Sequence, residues 1–429
     1  MRAKARKRAM HIEAYSMEVK MPGRKLQWSK YLASATFLFF AIGVSFAVAE
    51  KKYGPGVTDT EIKIGNTMPY SGPASAVGAI GHTLTAYFKR LNERGGVNGR
   101  KIKFISLDDG FSPPKTMEQT RRLVEEEQVA FIFAPLGTAS NSVTQKYLNA
   151  NKVPQLFLIS AASKWNDPKN SPWSMSLTWG PNYYHEARFH TRYLVREQPT
   201  AKIAVLYQND DGGKDLLRGL RDEAAALGAK ISAEASFEVT DPTVDSQIVT
   251  LQASGADALF IYSITPKACA QAIRKAYDIG WRPTRFLFSG CLQPDAVLKP
   301  AGFDKANGII ATAAIKTVSP DTLSDPAVAE YLTFMNDYNP NGAAEDGYNI
   351  YAYALGKTVE EVLRRAGDDL TRENIMRISA SLQDFRNPLY REGIMINTTP
   401  TDYTTVRQAY LVRFDGKNWV QFGDLMTGR

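Results

Sequence analysis

The stretches EIKIGNT (61–67), KIKFISL (101–107), AFIFA (130–134) and QLFLI (155–159) decide the fold. Each is a short run rich in β-branched and aromatic residues, and each is followed by a longer segment with helical spacing of its apolar positions. That spacing predicts helices over 78–94, 113–127 and 140–150, with Gly95-Gly96 ending the first and Pro113 opening the second. Strand and helix in alternation is the pattern of parallel βαβ units. After a polar, aromatic stretch from Ser163 to Gly180 the rhythm restarts. Strands are expected at 202–207, 230–237, 258–261 and 286–288, alternating with helices at 183–197, 213–227, 244–253 and 266–279. From Gly308 onward the pattern predicts a strand at 308–313, helices at 327–338, 347–365 and 371–381, and a closing antiparallel pair around 393–397 and 408–414. That tail is too small for a third domain and is expected to be shared by the other two. The fold class is therefore α/β, with two doubly wound parallel-sheet lobes and a cleft between them.

Charge excludes one broad class of partner. The 429-residue chain carries 52 Lys+Arg against 44 Asp+Glu, a net of +8. Residues 1–49 hold nine basic and two acidic side chains, so the remaining 380 residues are nearly neutral at +1. A polyanion-binding body, and with it a nucleic-acid partner, does not fit that balance. The leader has the anatomy of a secretory signal: Arg24, Lys25 and Lys30, then an uncharged run from Tyr31 to Val48, then the small-x-small triplet Ala47-Val48-Ala49. Cleavage after Ala49 and export are expected, with an uncleaved anchor as the alternative. Met17 and Met21 are alternative starts.

Signatures of catalysis are missing. There is no Gly-x-Ser-x-Gly elbow, no phosphate loop and no Gly-x-Gly-x-x-Gly after the first strand. His185 and His190 stand about 140° apart around a helix, so they do not share a metal-binding face. Asp108-Asp109 and Asp210-Asp211 end predicted strands, where hydrogen bonding within loops is expected rather than acid–base chemistry between paired carboxylates. Cys269 and Cys291 are read as small buried side chains, with a single bridge between them as the alternative. Neither a metal nor a cofactor is expected.

In open parallel sheets ligands sit beyond the carboxyl ends of the strands. Two neighbouring strands end there in hydroxyls, at Leu136-Gly137-Thr138 and at Ser160-Ala161-Ala162-Ser163. Such groups, with backbone N–H and a helix dipole, can hold a carboxylate; ordinary N-capping is the competing reading. Tyr70, Trp165, Trp173 and Trp179 are candidates to wall an apolar ligand.

The blocks EIKIGNTMPYSGPASAVG (61–78), GGVNGRKIKFISLDDGFSPPKT (95–116), FIFAPLGTASN (131–141), VPQLFLISAAS (153–163), IAVLYQNDDGGKDLLRGL (203–220) and DPTVDSQIVTLQASGADALFIY (241–262) carry a resemblance. Behind the leader, they resemble the periplasmic binding proteins of the branched-chain amino-acid (leucine/isoleucine/valine-binding) type, which deliver ligands to ABC transporters. The resemblance implies the type I periplasmic binding fold, with three crossover strands joining lobe 1 (53–178 plus 312–405) to lobe 2 (179–311 plus 406–429). It implies that Thr138 and Ser163 donate to a ligand carboxylate and that the carbonyls of Leu136 and Ala161 face an ammonium group. The Ser71-Gly72-Pro73 turn would lie beside them, with Tyr70, Trp165 and Ile264 completing the lining.

This chain also departs from the family pattern. Gly212 and Ile264 stand where second-lobe tyrosines are usual, Val77 where a tyrosine follows the Ser-Gly-Pro turn, and Phe111 and Gly137 where some members place a disulfide. The acid that pairs with an ammonium should fall near Gly290 or Cys291, and neither is acidic. A buried ammonium without such a partner is costly. The expectation is thus a non-catalytic, monomeric periplasmic receptor for a small organic acid or amino acid, the aromatic acid favoured, that docks on ABC permease subunits. An exported sensor feeding a membrane signalling protein is the alternative, and an exported hydrolase a third class.

Overall fold

The structure, a computed structural model, describes residues 51–320 and 322–428. The expected signal segment lies outside the described residues. After β1 (Lys52–Tyr53), a first sheet is built from β2 (Glu61–Met68), β3 (Lys101–Asp108), β4 (Phe131–Phe133), β5 (Gln155–Leu158) and β6 (Ser174–Ser176). Its order is β3-β2-β4-β5-β6 and every neighbouring pair is parallel. The crossovers are α1 (Ala79–Glu93), α2 (Pro113–Arg121) and α3 (Thr138–Ala150). Every residue of β4 and β5 is buried, as in strands covered on both faces.

The second sheet takes β7 (Lys202–Gln208), β8 (Lys230–Phe237), β9 (Ala258–Tyr262), β10 (Thr284–Leu287) and β11 (Ile310–Ala313). α4 (Tyr183–Glu197) leads into β7, and between the strands run α5 (Asp211–Leu227), α6 (Asp245–Ala253), α7 (Pro266–Asp278) and the short α8 (Lys299–Ala301) and α9 (Phe303–Ala306). The chain then returns to the first sheet through α10 (Pro326–Tyr338) and α11 (Gly347–Ala366). There Gly356 packs so tightly on the Tyr87 ring of α1 that a Cβ would sit 2.6 Å from it. β12 (Asp369–Leu370) pairs with β1, α12 (Arg372–Ser379) follows, and β13 (Gln408–Phe414) and β14 (Trp419–Thr427) close the second sheet in the order β14-β13-β11-β10-β9-β7-β8. The chain passes between the sheets at 177–182, 314–325 and 398–407. This is the α/β class expected, with one parallel sheet and one sheet parallel but for β13 and β14, their carboxyl ends facing one another.

Three expectations need correction. The closing antiparallel pair is β13 with β14, whereas 393–397 contributes only an isolated bridge, Phe385 to Ile396. The hairpin turn is specified by Asp415, whose Oδ1 accepts from the N–H groups of Lys417 (2.8 Å) and Asn418 (2.7 Å), and by Gly416 at φ 95°. The stretch 163–180 hides β6. Cys269 and Cys291 are bonded to each other rather than separate. Because β9 and β10 are adjacent and parallel, the first turn of α7 and the turn after β10 emerge side by side, and their Cα atoms fall 6.4 Å apart.

One apolar cluster joins the two sheets across the cleft. Leu158, Ala161 and Trp165 from the first sheet's strand ends pack with Tyr183, Ile203, Ile264 and Phe288 on the second sheet's side. No helix among the described residues is long and apolar enough to cross a membrane.

Candidate functional site between the sheets

The corner at the ends of β4 and β5 is set by a glycine. Gly137 adopts φ 97° and the ring of Phe111 lies against it, so that a Cβ would fall 2.7 Å from Phe111 Cε2. Phe111 and Gly137 are thus in direct contact. Gly137 delivers Thr138 as the first residue of α3, fully buried, its Oγ1 sharing a 2.7 Å hydrogen bond with Ser160 Oγ. Trp165 Nε1 also donates to Ser160 Oγ (2.8 Å). Leu136 is buried behind them, its backbone bridged to Ile159. Ala161 O accepts from Tyr183 N (2.8 Å), so that carbonyl already has one partner. The Tyr183 phenol sits in the same corner, and burial raises it above the usual tyrosine range while the Ala161 backbone and the Ser160 and Thr138 hydroxyls pull it back.

The second sheet meets this corner through α5. Asp210 caps the helix by accepting from Gly213 N (2.9 Å) and is fixed in turn by Gln208 Nε2 (2.7 Å). Its cap starts the helix at Asp211, two residues before the sequence pattern suggests. Gly212, in the first turn, leaves room for contact. A Cβ there would lie 2.9 Å from Thr138 Oγ1 and 3.1 Å from both Ile264 Cδ1 and Tyr183 Cε2. The space a second-lobe tyrosine would need is filled by Tyr183 and Ile264.

At the rim, Ser163 has an occupant. Its N–H donates to Asp215 Oδ2 (2.7 Å) and its hydroxyl to Asp215 Oδ1 (2.8 Å). Arg218 Nη2 reaches both Asp215 Oδ1 (2.5 Å) and Ser163 Oγ (2.7 Å). Lys164 Nζ bridges to Asp211 (3.0 Å) on the same helix. Ser160 belongs to the hydroxyl-rich strand end that the sequence marks, whereas Asp215 and Tyr183 were missed. An Asp in the second turn of a helix and a Tyr at the start of one carry no local signal of a cross-sheet role.

On the other flank, a cavity runs beside Trp179, Ser289, Gln293, Gly347 and Tyr351. Trp179 Nε1 and Gln293 Oε1 are buried there without a hydrogen-bond partner among the described residues. Gly290 lies flat against Trp179, and Cys291 is in the disulfide, so neither supplies a charge. The acid at this strand end is Glu186, also missed from sequence. It is fully buried on α4 and accepts from Ser289 N (2.7 Å) and Ser289 Oγ (2.8 Å). Burial pushes its carboxyl up to about 7 against those two bonds. One helical turn on, His190 is fully buried with both ring nitrogens unpartnered among the described residues, and burial depresses it to about 3.

The remaining sequence candidates serve their own loops. Tyr70 OH bonds Ser106 Oγ (2.5 Å), and Tyr70 N and Ser71 N and Oγ all donate to Asp108 (3.0, 3.1 and 2.7 Å). Lys115 also pairs with Asp108 (2.8 Å), whose carboxyl is held well below its usual range by Lys115, Ser71 and backbone N–H groups, against the opposing pull of burial. Asp109 binds Phe111 N and Thr116 Oγ1 (2.9 Å each). Trp173 N donates to Asn149 Oδ1 (2.9 Å) in the first sheet's wall. Among the described residues no cluster of three His, Cys, Asp or Glu side chains is placed to hold a metal.

Two largely parallel sheets with opposed carboxyl ends, three passages between them and a cleft lined by strand-end hydroxyls define a two-lobed solute-binding fold. The chain belongs to the periplasmic binding protein family, whose model matches residues 61–418. It is 23% identical over 328 residues to Leu/Ile/Val-binding protein homolog 1 of Brucella abortus, a match covering 76% of this chain and 84% of the relative. The fold is shared with a branched-chain amino acid ABC transporter protein from Thermus thermophilus solved with bound valine, at TM-score 0.77 and 17% identity, covering 87% of this chain and 98% of that one. It is shared also with a solute-binding protein of an ABC transporter from Rhodopseudomonas palustris solved with 3,4-dihydroxybenzoic acid, at TM-score 0.71 and 18% identity, covering 86% and 97%.

Proposed function

We propose that the chain is the periplasmic solute receptor of an ABC uptake system for a small organic acid without an ammonium group. Thr138 and Ser163 anchor the carboxylate, and Tyr70, Ser71, Leu136, Ala161, Trp165 and Ile264 line the site around them. The lobes are 53–178 plus 314–405 and 179–313 plus 406–428, the expected boundary at 312 moving to 314 because Thr312 and Ala313 pair with β13 in the second sheet, and the monomeric closed form docks on the permease. The observation that carries this reading is at Ser163, whose N–H and O–H are both given to the two oxygens of one carboxylate. That is the pattern a ligand carboxylate needs. The absence of a charge at Gly290 and Cys291 favours an acid over a zwitterion, because Glu186 at that strand end is buried, occupied by Ser289 and raised to about 7.

The test is a thermal-shift screen of benzoate, phenylpropanoid acids and short aliphatic acids against leucine, isoleucine and valine. A ligand that binds only the native state raises the melting temperature. Stabilisation by an acid with no shift from the amino acids is expected. Preference for the amino acids would overturn the ligand class.

A further inference from the structure

We infer that Asp215 is an internal stand-in for the ligand's carboxylate, a specificity-setting residue that an incoming acid must displace from Ser163. The inference rests on the reading of Ser163 as the anchor, and deepens it. Ser163 opens the turn after β5 of the first sheet, whereas Asp215 sits on α5 of the second, so their two hydrogen bonds exist only while the cleft is shut. Only 9% of the Asp215 side chain is exposed. One N–H and one O–H cannot serve two carboxylates, and bringing a second negative charge alongside the first is unfavourable. Ligand acid and Asp215 therefore exclude one another.

Arg218 makes the exchange feasible. It lies one turn further along the same helix, 56% exposed, and pairs with Asp215 at 2.5 Å. When Asp215 leaves Ser163 it keeps this cation and gains water, so release does not strand a buried charge. Lys164 with Asp211 forms the second contact across the same rim. With both contacts made and Gly212 against Thr138, the unliganded cleft is held closed. A ligand then binds the unclasped fraction, and its apparent affinity is reduced by that fraction. A molecule that is weakly anchored, or that offers an ester or amide where the acid should be, does not win the exchange.

The test measures closure without ligand. Fluorophores are placed on cysteines introduced at Val143 on α3 and Val249 on α6, both exposed, and single-molecule energy transfer reports the closed fraction. The unsubstituted labelled protein should be mostly closed. Asp215→Ala should move it to the open distance, and Ser163→Ala, which keeps the N–H, should move it part of the way. Circular dichroism of each variant checks that it folds. A closed fraction unchanged in Asp215→Ala overturns the inference. Benzoate titration supplies a second readout: Asp215→Ala should bind it more tightly by the reciprocal of the parent's open fraction, tenfold if 10% is open. Equal benzoate affinity in the two proteins also overturns the inference. If neither protein binds any acid of the screen, the ligand class fails, while the energy-transfer result still decides the clasp.

Discussion

Glu186 and His190 share one face of α4, and their opposed titrations make a prediction that needs no ligand. Glu186 is raised from 4.5 to about 7, so between those values the folded protein keeps a proton that the unfolded chain has released. Stability from this group is fully present below pH 4.5 and is lost as pH rises to 7, about 3 kcal/mol in all. His190 is lowered from 6.5 to about 3, so the unfolded chain takes up a proton that the folded protein refuses. Stability from it is fully present above pH 6.5 and is lost as pH falls to 3, about 5 kcal/mol in all. From pH 4.5 to 6.5 the slopes of these two groups oppose one another at about 1.4 kcal/mol per pH unit each and cancel, leaving the falling contribution of Asp346, raised to about 6, in wild type and variant alike. Glu186→Gln keeps both Ser289 contacts with one of them reversed: the amide oxygen accepts from the N–H, and the amide NH2 donates to the hydroxyl oxygen, whose own O–H turns elsewhere. It removes the falling limb of Glu186, so its stability relative to wild type should climb from pH 4.5 to 7 and stay level above. By pH 8 the variant should exceed wild type by about 3 kcal/mol, with little difference at pH 4.5. Urea unfolding at half-unit steps from pH 4 to 8 gives the two curves. Parallel curves would refute the reasoning.

Other substitutions probe the closed cleft and the fold around it. Gly212→Ala puts a methyl 2.9 Å from Thr138 Oγ1 and should hold the lobes apart, read as a larger radius of gyration by small-angle X-ray scattering than the parent shows. Replacing Cys269 and Cys291 together by Ala should lower unfolding stability by about 2–4 kcal/mol in denaturant titrations, with the same loss on reduction of wild type. Asp108→Ala removes the acceptor for Tyr70, Ser71, Gly110 and Lys115, and hydrogen exchange in the 69–73 turn should accelerate at least tenfold while the sheet's amides keep their protection.

Alternation of strand and helix is a local signal, and so both sheets and nearly all their crossovers were legible from the residues. What escaped was set by contacts distant in sequence or by short elements. β6 is three residues of Ser-Met-Ser that become a strand only because β5 offers an edge. Asp415 and Gly416 mark the β13–β14 turn, but β14 itself is polar and half exposed and does not read as a strand. The disulfide depends on β9 and β10 being neighbours, a property of the sheet and not of the Cys spacing. At the site, Thr138 and Ser163 were visible as hydroxyls at strand ends. Ser160 was visible in the same way, but Tyr183 and Asp215 were not, because each is chosen by the approach of the two sheets.

Calorimetric titration of the acid that gives the largest thermal shift, into wild type and into the Thr138→Ala, Ser163→Ala double variant, tests the central claim most directly. The account predicts one site per chain in wild type and no measurable heat of binding in the variant, with the unliganded variant still folded by circular dichroism. Undiminished affinity in the variant, or binding of leucine or valine in place of any acid, would contradict it.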